Sequence, residues 1–122
     1  MPADQLVSLA SLCVKTGRIA RGEALLPSIT SRKAQMVLLS DGCGANRKKK
    51  IQDKCRFYQV VLVQIPASRF ERISGKVNGA AAVLDPGFAK KLTELAKAQS
   101  LLPDSQVHLW NMEPDVNPGS HE

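Results

Sequence analysis

No apolar run in the 122 residues approaches the roughly 20 residues that a membrane-spanning helix needs. The opening residues, Met1-Pro2-Ala3-Asp4-Gln5, carry no basic stretch, so no secretory signal is expected there. Cysteine is sparse. Cys13, Cys43 and Cys55 are odd in number, show no C-x-x-C spacing and have no histidine near them in sequence. That pattern favours free thiols in a reducing cytoplasm over a disulfide or a zinc site. Both histidines, His108 and His121, lie beyond residue 99, so a Cys–His nucleophile pair requires His108 to fold back onto the rest of the chain. The carboxylates are scattered, and none pairs with another in an apolar stretch. No catalytic constellation is visible and nothing calls for a cofactor or a metal. The expectation is a non-enzymatic, cytoplasmic protein.

Basic residues are missing from the end of the chain: all 17 Lys and Arg fall between Lys15 and Lys97. Seven of the 11 acidic residues lie in residues 1–99, which therefore carry +10, while residues 100–122 carry −4 against a whole-chain +6. Aromatic residues make up only 4% of the chain. A small basic domain with few aromatics points to a polyanion, most often nucleic acid. The bland alternative is a solvated, lysine-rich surface.

Length allows one compact domain, placed at residues 1–99. Leu6, Leu9, Ala10, Cys13 and Val14 space as a helical stripe, which Asp4 can cap and Gly17 can end. A short extended piece at 18–20 precedes a second helix opening at Gly22-Glu23, with Pro27 tolerable only in its first turn or as a kink. Met36–Ser40 reads as a strand. Asn46 is a candidate N-cap for a helix that places Ile51, Cys55 and Tyr58 on one face. Residues 60–65 read as a strand covered on both faces, and Ser68-x-x-Glu71 as a capping box opening a helix that Gly75 ends. A strand of small residues at 80–84 is followed by Asp85-Pro86, an N-cap with proline at the first helical position. This alternation predicts a three-layer α/β/α sandwich with a small mixed central sheet. Residues 100–122 change composition, with Pro103, Pro114 and Pro118 among Asp, Asn, Ser and Gly, and predict a mostly disordered acidic tail. Leu109, Trp110 and Met112 interrupt that tail and can dock on the domain or on a partner, while a plain tail with one stray tryptophan is the preferred reading.

Four consecutive cations, Arg47-Lys48-Lys49-Lys50, stand where the third helix begins. Cations at a helix N-terminus cost about 0.3–1 kcal/mol each when exposed. A fold has no use for that arrangement, whereas an anionic partner does. Gly42-x-Gly44 lies between strand and helix but lacks the third glycine of a dinucleotide fingerprint and the spacing of a P-loop, so it reads as a turn. Cys43 lies beside cations near a helix start, a setting that can lower a thiol pKa without making it catalytic. Arg21-Gly22-Glu23 sets a cation and a glycine at a helix start, and Lys76-Val77-Asn78-Gly79 forms a loop with one cation and one apolar residue. Such groups suit a phosphate and an unstacked nucleotide respectively.

Several segments resemble the YlxQ-like bacterial branch of the ribosomal L-seven-Ae/L-thirty-e superfamily of kink-turn RNA binders. They are Ala34–Asp41, then Asn46-x-x-Lys49-Lys50-Ile51-x-Asp53-Lys54-Cys55 with Tyr58, then Asp85-x-Gly87-Phe88-Ala89-Lys90-Lys91-Leu92. The resemblance runs from about Leu6 to Leu95. It implies an α/β/α sandwich that binds ribosomal or other structured RNA, with the ribosome or translation-related proteins as further partners. By the same resemblance Gly22, preceded by Arg21, matches the glycine that opens the RNA-binding helix. Glu23 and Ala24 stand near its reading pair, Val77 in the loop that meets a flipped-out base, and Asp41 as the acidic residue ending a strand. Arg21, Arg47, Lys48, Lys49 and Lys76 are the expected phosphate contacts. The chain departs from the family where an Asn-Glu pair commonly reads sheared G·A pairs: Glu23, Ala24 and Leu25 stand there, the lysine one turn later is missing, and Pro27 stands about in its place. The rival expectation is a protein-interaction module that keeps the fold without specific RNA reading. A small enzyme using Cys43 is a further alternative.

Overall fold

The computed structural model describes residues 5–76, 78–102, 104 and 106–111. Five helices and five strands alternate: α1 Gln5–Lys15, β1 Ile19–Arg21, α2 Leu25–Thr30, β2 Met36–Ser40, α3 Ala45–Tyr58, β3 Val61–Ile65, α4 Ala67–Ser74, β4 Ala80–Val83, α5 Pro86–Ser100 and β5 His108–Trp110. A 3-10 turn, Gly22–Ala24, joins β1 to α2. The sheet order is β1-β4-β2-β3-β5. β2 and β3 are parallel, Met36 opposite Val61, while β4 runs antiparallel to both β1 and β2, and β5 antiparallel to β3. This is the mixed-sheet, three-layer sandwich expected.

The period-two alternation of the strands divides the core in two. Met36, Leu38, Val63, Ile65 and Val83 face α1, α4 and α5, where Leu6, Cys13, Phe70, Ile73 and Leu92 are buried. Val37, Leu39, Leu62, Ala80 and Ala82 face the opposite way, onto Leu25 and Ile29 of α2 and Ile51 and Cys55 of α3. All five residues of β2 are buried, as a central strand covered on both faces requires. The three cysteines are free and buried. Burial pushes the Cys55 thiol up to about 12, and burial also raises that of Cys13.

Several boundaries differ from the sequence expectation. α3 starts at Ala45 with Gly44, not Asn46, as its N-cap, and the Lys48 N–H donates to the Gly44 carbonyl at 2.8 Å. The cations thus fall at the end of the first turn and in the second. The Ser68-x-x-Glu71 capping box does not form, because α4 already starts at Ala67 after Pro66. Its capping acceptor comes from the turn after β2: Asp41 Oδ1 accepts from the Ala67 N–H at 2.9 Å. Pro27 sits at the third position of α2, where a missing N–H removes no intrahelical bond. Asp85 caps α5 as expected, accepting from the Gly87 and Phe88 N–H groups. The Phe88 N–H, with Arg18 at 2.6 Å and the Gly87 N–H, holds its carboxyl below the usual carboxylate range.

The tail expectation needs correction at 106–111. His108–Trp110 is a paired edge strand, with Leu109 packed on the core and Val107 buried. The proline-rich composition around it hid an apolar pair, Val107 and Leu109, at strand spacing. The rest of the expected tail, from Met112 on, lies outside the described residues. No helix among the described residues is long and apolar enough to cross a membrane.

Candidate nucleic-acid interface

Strand direction brings distant segments to one end of the sheet. β1, β2 and β3 run one way and β4 the other, so the ends of the first three strands meet the start of the fourth. Arg21 ends β1, the Asp41–Gly44 turn follows β2, and Asn78 and Gly79 lead into β4. The Ser40 N–H donates to the Gly79 carbonyl at 3.0 Å, which ties the second segment to the third. Open α/β sheets collect ligands at such an end.

A cleft of about 700 Å³ opens between these segments. Arg21 and Gly22 line one side, and Cys43, Gly44 and Arg47 another. Lys76, Asn78 and Gly79 close the third, with Phe70, Ser74 and Ala80 contributing the floor. Three cations face the space, and no carboxylate is among the lining residues. The first turn of α3 adds backbone N–H groups at Ala45, Asn46 and Arg47 that lack intrahelical acceptors. A cluster of this charge and donor content accepts an oxyanion and repels a cation.

Local geometry fixes each wall. Gly22 has φ +60°, the left-handed region in which a side chain is strained, and this lets the chain leave β1 and enter the 3-10 turn. Arg21 stays extended, and its Nη1 donates to the Ser74 carbonyl at 3.4 Å, across the cleft at the end of α4. Ser74 Oγ accepts from the Lys76 N–H at 3.2 Å and can give its one proton to the carbonyl of either Phe70 or Lys76, each at 3.2 Å, holding the loop base against α4. Gly75 at φ +84° ends that helix.

Of the residues singled out in the sequence, Arg21, Gly22, Arg47 and Lys76 line the cleft. Glu23 and Ala24 are exposed in the 3-10 turn beside it, and Leu25 is fully buried. Lys48 and Lys49 follow on α3 outside the lining, and Lys49 Nζ pairs with Asp53 at 3.3 Å. Asp41 is turned to the start of α4 by its cap to Ala67. Val77 lies outside the described residues. Phe70 and Ser74 were not foreseen. Their spacing of four puts them on one helix face, but nothing local says that this face ends under a loop from the next strand.

No protein-family model matches the chain. It is 31% identical over 94 residues to the RNA-binding protein YlxQ of Enterococcus faecium, covering 75% of this chain and 91% of that protein. The chain belongs to the YlxQ family. The RNA-binding protein YlxQ of Bacillus subtilis is likewise 31% identical, over 90 residues that cover 71% of this chain and 90% of its own. A solved structure of a protein of unknown function from Bacillus halodurans superposes on this YlxQ-family fold with a TM-score of 0.68. Its identity is 26%, over 75% of this chain and 95% of that one.

Proposed function

We propose that this protein is a non-enzymatic binder of structured RNA, and that the cleft at the strand ends is where the RNA is held. One observation carries the reading: Arg21, Arg47 and Lys76, from three separate segments, converge on a single cleft without a lining carboxylate. The relatives from E. faecium and B. subtilis carry RNA binding in their names, which supports the same class of ligand. In this proposal Arg21, Arg47 and Lys76 neutralise phosphates, with Lys48 and Lys49 as an outer flank. Gly22 and Glu23 approach base edges, and the loop holding Val77 meets a splayed nucleotide. Asp41 acts by positioning α4 and the floor of the cleft. Ribosomal RNA in the cytoplasm, with the ribosome or translation-related proteins nearby, is the proposed setting.

Base reading is expected to be coarse. Ala24 has no hydrogen-bonding side chain and Leu25 is committed to the core, so Glu23 is the one side chain of that trio left to address a base edge. Phosphate contacts position an RNA without choosing its sequence. We therefore expect binding to a kink-turn RNA and to a bulged hairpin to differ only by a few-fold. Electrophoretic shift across a salt series tests the proposal. Binding should weaken with salt by about 0.7–0.9 in log–log slope per phosphate contact, and Lys76→Ser and Arg47→Ser should each lower the slope by that amount. A chain that shifts no structured RNA at low salt, or a slope untouched by both substitutions, overturns it.

A further inference from the structure

A second feature leads out of the cleft along α3. Arg47, Lys50, Lys54 and Phe57 follow one another at spacings of three, four and three, which puts them on one side of the helix. All four are exposed. The adjacent row is partly compensated within itself, since Asp53 pairs with Lys49 at 3.3 Å and with Arg56 at 3.7 Å. Among the described residues, no acidic side chain pairs with Arg47, Lys50 or Lys54. The row ends on Phe57, 77% exposed. Its ring meets that of Tyr58 edge-on, with centroids 4.9 Å apart, and the Arg32 guanidinium lies 5.4 Å over the Tyr58 ring.

Neither feature serves the fold. Like charges along one helix side repel, and an exposed phenyl ring gives up the gain of burial. Together they make a unit: unpaired cations leading to an aromatic face with one further cation, Arg32, beside it. Single-stranded nucleic acid is held in this way, backbone on charge and base on ring. At 1.5 Å per residue, Phe57 stands about 15 Å along the helix from Arg47.

We propose that a single-stranded segment of the bound RNA leaves the cleft along this row, with phosphates on Lys50 and Lys54 and a base stacked on Phe57. An apolar protein partner fits the ring but not the uninterrupted charge between ring and cleft, so charge complementarity selects the polyanion. The inference rests on the RNA reading of the cleft.

Anisotropy titration of the full chain separates the two. The probes are a bulged RNA hairpin, blunt or extended by eight uridines at its 5′ or its 3′ end. One extension should tighten binding about tenfold and steepen the salt slope by about 1.4, for two single-strand phosphate contacts. Phe57→Ala should remove most of that gain, about fivefold, while Phe57→Trp keeps it. Lys50→Ser with Lys54→Ser should abolish the added slope. Each variant should bind the blunt hairpin as the parent does. Equal affinity for blunt and extended hairpins, or a gain that survives Phe57→Ala, overturns this inference and leaves the cleft reading standing. If no hairpin binds at low salt, the cleft reading falls and this one falls with it.

Discussion

Asp41 shows how one side chain ties two parts of the site together. It opens the turn after β2, yet its Oδ1 caps α4, whose residues Phe70 and Ser74 floor the cleft. Asp41→Ala should lower stability by about 1 kcal/mol, as loss of an N-cap does, whereas Asp41→Asn keeps an acceptor and should cost much less. Urea melts of both variants decide the matter, and equal losses argue for charge rather than capping. Cys55 gives a pH test of core packing. Its thiol titrates near 9.0 when unfolded and, buried against Ile51 and Val60, near about 12 when folded. The folded state therefore keeps a proton that the unfolded state releases. This contribution is whole below about pH 9 and is lost as pH rises towards about 12. The difference in stability between the parent and Cys55→Ala should shrink or reverse across that window in chemical denaturation.

At the scale of elements, the edges were the hardest to read. Long segments with one dominant period, such as Met36–Ser40 and the α3 stripe Ile51, Cys55 and Tyr58, are set by local pattern. Their ends are not. Gly44 displaced Asn46 as the cap of α3, and Ser68 has no capping role because α4 already starts at Ala67, whose N–H donates to Asp41 in the turn after β2. β5 was hidden for the same reason: three residues carry almost no local preference, and pairing with Leu62, Val63 and Gln64 makes them a strand. A chain ending at Leu102 should therefore melt roughly 5–10 °C lower than the full chain, because Val107 and Leu109 leave the core and β3 becomes an open edge. A chain ending at Asn111 keeps both and should melt within a degree or two of the parent. Calorimetry of the two truncations distinguishes an integral strand from a dispensable one.

The charge distribution belongs to the whole molecule. Residues 112–122 hold Glu113, Asp115 and Glu122 and no basic residue, so their removal takes the chain from +6 to +9. That segment is acidic while the cleft is cationic, and truncation after Asn111 should tighten RNA binding several-fold at low salt and little at high salt. Unchanged affinity at low salt rules out shielding by the tail. The cluster of cations at 47–50 announced a polyanion from sequence alone, because charge is additive and needs no coordinates. Which of those cations share a cleft is a different matter. Arg47 faces it, Lys49 turns to Asp53, and Lys50 joins a row that ends at Phe57.

The sequence by itself determined the layer architecture, the basic stretch, the acidic end and the glycines that end α1 and α4, since each follows from local periodicity, composition or backbone preference. Tertiary structure decided the rest. Arg21 and Lys76 are 55 positions apart. They meet because β4 enters the sheet antiparallel to β1, a choice set by pairing between strands and by the burial of both sheet faces. The cleft is a property of strand direction, which no window of the sequence contains.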